Sequence, residues 1–201
     1  TGRHWYHLTN GQKKPNEDKS FRPPSKALFA IPTQDVVSIP QWVSSKDSAI
    51  INEVVALETE RIGIGPNEGP GRASEWKTVE LNGSRTLVQS VSIPWSLSEL
   101  ESMDDVFAKL VPQYALYTPP ADAIILWTEE GNWIAGYSRG ERWVHVHALG
   151  NGSVGAITSE VQLTLLELSA KGILDSLEEI VVWDEFDFKH YQALYEGTGR
   201  K

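Results

Sequence analysis

At 201 residues, with 40% hydrophobic and 22% charged side chains, the chain is long enough to bury a core as one domain or as two closely packed subdomains. Its formal net charge of −9 excludes a nucleic-acid backbone or an anionic bilayer as the main partner, and the absence of cysteine excludes disulfides, thiolate metal sites and a thiol nucleophile. No apolar run approaches the roughly 18 residues of a membrane span and no signal peptide is read, while the start at Thr1 fits a processed or excised piece.

The charge is uneven. Residues 1–26 hold six Lys/Arg against two Asp/Glu, so the remainder holds twelve against twenty-five. This stretch reads as a basic amino-terminal arm: a strand-like aromatic start, then a polar connector ending at Pro23-Pro24. Residues 27–118 read as a first α/β subdomain. ALFAI and VVSI, split by Pro32-Thr33-Gln34-Asp35, predict a pair of strands with a tight turn. Ser44 or Ser45 is placed to cap a helix over Asp47–Arg61, where Ile50, Ile51, Val54, Val55 and Leu57 recur at helical spacing and Gly63 and Gly65 end it. IGPNEGPGRASE is a loop. WKTVEL and SRTLVQSVSI form a hairpin joined at Asn82-Gly83. Ser96 or Ser98 then caps a helix over Leu97–Leu110.

VVSIPQW (36–42) and SVSIPW (90–95) echo one another. Each reads as a strand closed by proline and followed by a serine-capped helix, two joints of one type. Packing against those helices is the simplest role for Trp42 and Trp95. The groove beside the joints is also the surface where a partner peptide can add a strand, which makes these two tryptophans the candidate partner-binding residues.

Residues 119–201 are more regular. ADAIILW, WIAGYSR and RWVHVHAL predict three strands joined by turns at EEGN and Gly140-Glu141. GNGSVGAITS reads as a small-residue loop, SEVQLTLLELSAKGIL as a helix stopped at Lys171-Gly172, EEIVVW as a short strand and DFKHYQALY as a last helix. A meander, a crossover helix and a further strand make half of a ribonuclease-H-like or actin-like unit.

The course of elements over residues 27–183 resembles the actin-like assembly-platform proteins of bacterial type IV pilus and type II secretion machines, the PilM and GspL type. ALFAIPTQDVVSIP followed by SAIINEVVALETERIGI is similar to their first subdomain and its insertion, and AIILWTEEGNWIAGYSRGERWVHVHALGNGSVGAITSEVQLTLLEL to their next meander and helix. The resemblance implies an α/β, actin-like fold of mixed sheets with flanking helices in two small subdomains. It implies a location in the cytoplasm at the inner membrane, with an assembly ATPase and inner-membrane platform proteins as partners; a homodimer is compatible with it. Nucleotide-binding members wrap phosphate with an Asp-x-Gly-x-x-(Ser/Thr) turn, because backbone N–H groups need glycine to approach it. Here LWTEEGNW sets Trp127 and Thr128 where the acid and its neighbour belong, and Glu129-Glu130 repels phosphate; a glycine pair after the last strand is replaced by VVWDEFDF. The chain therefore reads as a degenerate member, a non-enzymatic scaffold with no nucleotide, metal or other cofactor.

Other constellations in the sequence point to other chemistry. Asp184, Glu185 and Asp187 follow a strand at its carboxyl end, as a ribonuclease-H-like metal-dependent nuclease would need, but the first strand offers only Asp122. A solvated helix start explains those acids equally well. His145 and His147, with His4 and His7 elsewhere, supply no third ligand, so a polar strand face is the simpler reading. GNGSVGAITS fits neither phosphate-loop spacing, and no Gly-x-Ser-x-Gly elbow occurs. The eight tryptophans exceed what a typical core requires and define the competing class, a carbohydrate- or protein-binding module.

Overall fold

The computed structural model describes residues 26–62, 72–94, 107–174 and 179–183, together with Gln192, Leu194 and 196–198. The basic arm, the Gly63 and Gly65 stop, the GPNEGPG loop and Trp95 with the start of its helix lie outside the described residues.

The carboxyl-terminal half carries the organising sheet. Strands β6 (Ala123–Glu129), β7 (Asn132–Arg139) and β8 (Arg142–Gly150) form an antiparallel meander; helix α2 (Val154–Ala170) crosses over; β9 (Glu179–Val182) returns parallel to β6, giving the order β8-β7-β6-β9. This is the meander, crossover helix and further strand expected from the sequence, within a mixed α/β arrangement. Its two hairpins are set by their turns. Glu130-Gly131 and Gly140-Glu141 have positive φ at both positions, 52° and 82°, then 53° and 61°, the two-residue form whose twist matches that of the strands. Helix α2 begins five residues earlier than expected, because Ser153 accepts from the Ala156 N–H and draws the glycine-rich stretch into the first turn. It ends in a Schellman turn: Gly172 (φ 62°) donates to the Ser169 carbonyl and Ile173 to that of Leu168.

The sheet buries both faces. Ile124, Leu126, Ala135 and Tyr137 pack under Ile157, Val161 and Leu168 of α2, with Val79 and Leu87 joining from the amino-terminal half and Leu194 from beyond β9. Ala123, Ile125, Trp127, Ile134, Trp143 and Val146 form the opposite layer with Ile31, Val36 and Tyr114.

In the amino-terminal half, β1 (Lys26–Ile31) and β2 (Val37–Val43) do not form the expected pair. A 3-10 turn at Thr33–Asp35 separates them; β1 pairs in parallel with β5 (Phe107–Pro112), and β2 pairs antiparallel with β4 (Arg85–Pro94) in a sheet ordered β2-β4-β3, where β3 is Arg72–Asn82. The helix expected to reach Leu110 is therefore corrected: Phe107–Leu110 is strand. Nor does Pro40 end its strand, since β2 runs on to Val43 in register with Thr86. Proline is tolerated because β2 is an edge strand, whose outward nitrogens owe the ladder no hydrogen bond. The β3–β4 loop is Gly83-Ser84, one residue later than expected, with Gly83 at φ 57°.

Helix α1 (Ser48–Arg61) is capped by Asp47, whose Oδ1 accepts from the Ala49 N–H at 2.8 Å, while Ser45 Oγ accepts from the Asp47 N–H. Its buried stripe is narrower than the spacing implied. Ile51 and Val55 pack on Val43 and Val88, whereas Ile50 and Leu57 face solvent. Among the described residues no helix is long and apolar enough to cross a membrane.

Candidate functional site

The chemistry-bearing features converge at the carboxyl ends of β6 and β9, where open α/β sheets place their ligands. Register fixes the meeting. Leu126 pairs with Val182, and the Trp183 N–H continues the ladder to the Leu126 carbonyl at 2.9 Å, so Trp183 falls beside Trp127. Trp143 arrives from β8. A bulge at Val144 shifts the pairing between Tyr137–His145 and Ser138–Trp143, which puts Trp143 on the face of Trp127 instead of that of His145.

The rings form one cluster. Centroids lie 5.6 Å apart for Trp127–Trp143, 5.9 Å for Trp127–Trp183 and 6.1 Å for Trp143–Trp183; Tyr114 meets Trp143 edge-on at 5.7 Å, and Tyr117 meets Trp183 at 6.0 Å. These are the tilted and T-shaped distances aromatic pairs favour. Trp127 and Trp143 are buried, but Trp183, Tyr117 and Leu116 are 41%, 48% and 38% exposed and border an open depression that Gln113 and Thr128 complete. Gly136 makes the crossing of Trp127 and Trp143 feasible. A Cβ there would collide with Trp143 Cζ3 and sit 3.0 Å from Trp127 Cζ3. Gly136→Ala is therefore expected to destabilise the protein by about 2 kcal/mol and to alter its tryptophan emission, as a urea melt followed by fluorescence would register.

Beneath the cluster lies a buried carboxyl group. Glu129 accepts from the Thr33 N–H (2.9 Å), the Thr33 hydroxyl (2.9 Å) and Trp127 Nε1 (2.8 Å). It ties the 3-10 turn of the amino-terminal half to the β6–β7 hairpin and fixes the indole. This position tests whether a nucleotide, which binding members of the family that the sequence resembles hold at this turn, suits these residues. It does not. The turn is two residues long and carries the acidic Glu130, and the Glu129 carboxyl group before it already accepts from three neutral donors.

The residues predicted from sequence fall elsewhere. Trp42 is half-buried: its Nε1 donates to the Gly172 carbonyl at 2.9 Å, its ring packs on the core beneath α2, and the Arg85 guanidinium stands 4.8 Å over it. It fastens β2 to the Schellman turn, on the face of the sheet opposite the aromatic cluster. Trp95, its proposed companion, is outside the described residues, as are Asp184, Glu185 and Asp187. Asp122 stands at the amino end of β6, at φ 50°, with Oδ1 accepting from the Gly140 N–H. It is thus a whole strand, about 20 Å, from the carboxyl end that a nuclease site would need. His145 and His147 stack at 4.9 Å against Tyr137, and His147 Nε2 lies 3.4 Å from Thr164 Oγ1 of α2. The cluster itself escaped sequence reasoning. The signal was three tryptophans near strand ends plus a mid-strand glycine, and only pairing assembles them.

No family model matches the chain, and no curated protein matches it. Among solved structures it is similar to the cytoplasmic domain of EpsL, an inner-membrane component of the type II secretion system of Vibrio cholerae, at 10% identity and a TM-score of 0.46 over 86% of this chain and 73% of that one. It is also similar to a Bacteroides thetaiotaomicron protein of actin-like ATPase fold and unknown function, at 8% identity and a TM-score of 0.49 over 87% of this chain and 66% of that one.

Proposed function

We propose that this chain is a non-enzymatic scaffold, built on an actin-like fold, that binds other proteins through the aromatic depression at the carboxyl ends of β6 and β9. The observation that carries the reading is the occupancy of that crevice by the protein's own side chains. Glu129 is locked onto Thr33 and Trp127, and the Trp127 indole packs against those of Trp143 and Trp183. What remains open is a half-exposed Trp and Tyr, with Leu116 beside them, over an aromatic floor; Trp and Tyr are side-chain types that concentrate binding energy at protein interfaces. The finer assignment, to the cytoplasmic face of a pilus or type II secretion platform where the chain joins an assembly ATPase to inner-membrane partners, rests on the resemblance in element order read from the sequence.

Two measurements test this. Calorimetric titration with ATP and Mg²⁺ is expected to be flat; a micromolar isotherm would overturn the scaffold reading. Co-expression with the assembly ATPase and platform proteins of the host's pilus or secretion machine is expected to yield a complex that Trp183→Ala weakens about thirtyfold or more, the lower edge of a hot-spot effect. A complex indifferent to Trp183→Ala and Tyr117→Ala would remove the aromatic surface from the proposal, and quenching of tryptophan emission by glycans instead would support the carbohydrate-binding class.

A further inference from the structure

Helix α2 buries one face only. Ile157, Val161 and Leu168 point into the core, and directly opposite them Ala156, Ser159, Leu163, Leu166 and Ala170 recur at spacings of three and four. That is a heptad seam, two heptads or about four turns of alternating a and d positions, and it faces solvent, with Leu163 and Leu166 63% and 68% exposed. The small residues at its ends allow close approach of another helix, and the two leucines supply knobs. One flank of the seam carries Glu160 and Glu167, the same heptad position seven residues apart, with Glu167 in a solvent-exposed ion pair with Lys171 that a basic partner would compete for. The other flank carries Gln162 and Ser169.

We infer that this outer seam of α2 is a second docking surface, which receives an amphipathic helix of another protein carrying apolar a and d residues and Lys or Arg on the flank that meets Glu160 and Glu167. Charge decides the occupant. A second copy of α2 packed antiparallel would set Glu160 and Glu167 against their own equivalents, and a parallel copy would set them against Gln162 and Ser169, so self-pairing gains no opposite charge in either direction. The residues after the arm carry more than twice as many acids as bases, which favours approach by a basic partner. The surface is separate from the aromatic depression, so its failure and that of the scaffold reading above are distinguishable.

The test uses the full chain and two synthetic helical peptides with identical Leu/Ile a and d positions, one flanked by Lys and one by Glu. The Lys peptide is expected to bind with micromolar Kd at low salt and the Glu peptide at least tenfold more weakly, with Leu166→Glu abolishing binding and the pair Glu160→Lys and Glu167→Lys inverting the preference. All of these positions are exposed, so Leu166→Glu is expected to keep the wild-type melting temperature and the lysine pair to lower it only slightly, through loss of the exposed Lys171–Glu167 ion pair. Equal binding of both peptides, binding of neither, or a sedimentation dimer that Leu166→Glu dissociates would overturn the inference.

Discussion

Glu129→Ala is expected to cost about 4 kcal/mol of unfolding free energy, close to the limit a small domain tolerates. Three donors converge on this carboxyl group, the Thr33 amide, the Thr33 hydroxyl and the Trp127 indole N–H, and both Thr33 and Glu129 are buried. A net hydrogen bond contributes only about 1 kcal/mol, but stranding a buried donor costs about 1–3 kcal/mol, and truncation here strands three, two of them on the one residue Thr33. Glu129→Gln keeps one oxygen and turns an NH₂ toward a donor, so a loss of about half that size is expected. Urea melts of both variants and of Thr33→Ala, alone and combined, measure it. The double mutant is expected to lose much less than the sum, because the same bonds are broken twice. A loss under 1 kcal/mol for Glu129→Ala would mean that the carboxyl group is not a strut. It would then have to be reconsidered as an acid kept for a ligand.

Which parts of this arrangement could be read from sequence follows from how locally each is encoded. The β6–β8 meander was legible because its turns carry glycine at positions of positive φ and its strands are apolar runs bounded by them. The Lys171-Gly172 stop of α2 was legible for the same reason. The start of α2 was not, since Gly155 and its small neighbours look like loop until Ser153 is recognised as the cap. In the amino-terminal half, pairing is decided by tertiary position. Nothing in VSIPQWV announces an edge strand that carries proline through its middle, and FAKLVP becomes strand only because β1 lies beside it. The aromatic cluster was hidden by one residue. Strict alternation sets Trp143, His145 and His147 on a common face, and the bulge at Val144 separates the tryptophan from the histidines, sending it to Trp127 and leaving them under α2.

Those histidines should make the protein acid-labile, with a loss of about 2 kcal/mol from His145 alone between pH 6.5 and 5. Burial, then the neighbouring His147, pushes the His145 imidazole down to about 3, and burial lowers His147 as well, although Glu160 and Glu167 of α2 draw it back. The sign follows from comparing the two states. Above pH 6.5 the imidazole is neutral whether the chain is folded or not, and its contribution to the pH dependence is nil. Below that value the unfolded chain takes up a proton that the folded chain refuses, so stability falls by up to about 1.4 kcal/mol per pH unit for each such group until the folded-state value is reached. The geometry gives the reason: the rings stack at 4.9 Å, and the Nδ1 atoms of both are buried without a hydrogen-bond partner. Two imidazolium ions there would repel one another with little water to screen them. Denaturant melts between pH 7 and 5 should show a falling midpoint for the wild type and a slope reduced by up to about 1.4 kcal/mol per pH unit in His145→Leu, which packs but does not titrate. If His145→Leu and wild type lose stability in parallel, the acid sensitivity originates in other groups, and the stacked pair is held in the sheet without a protonation cost.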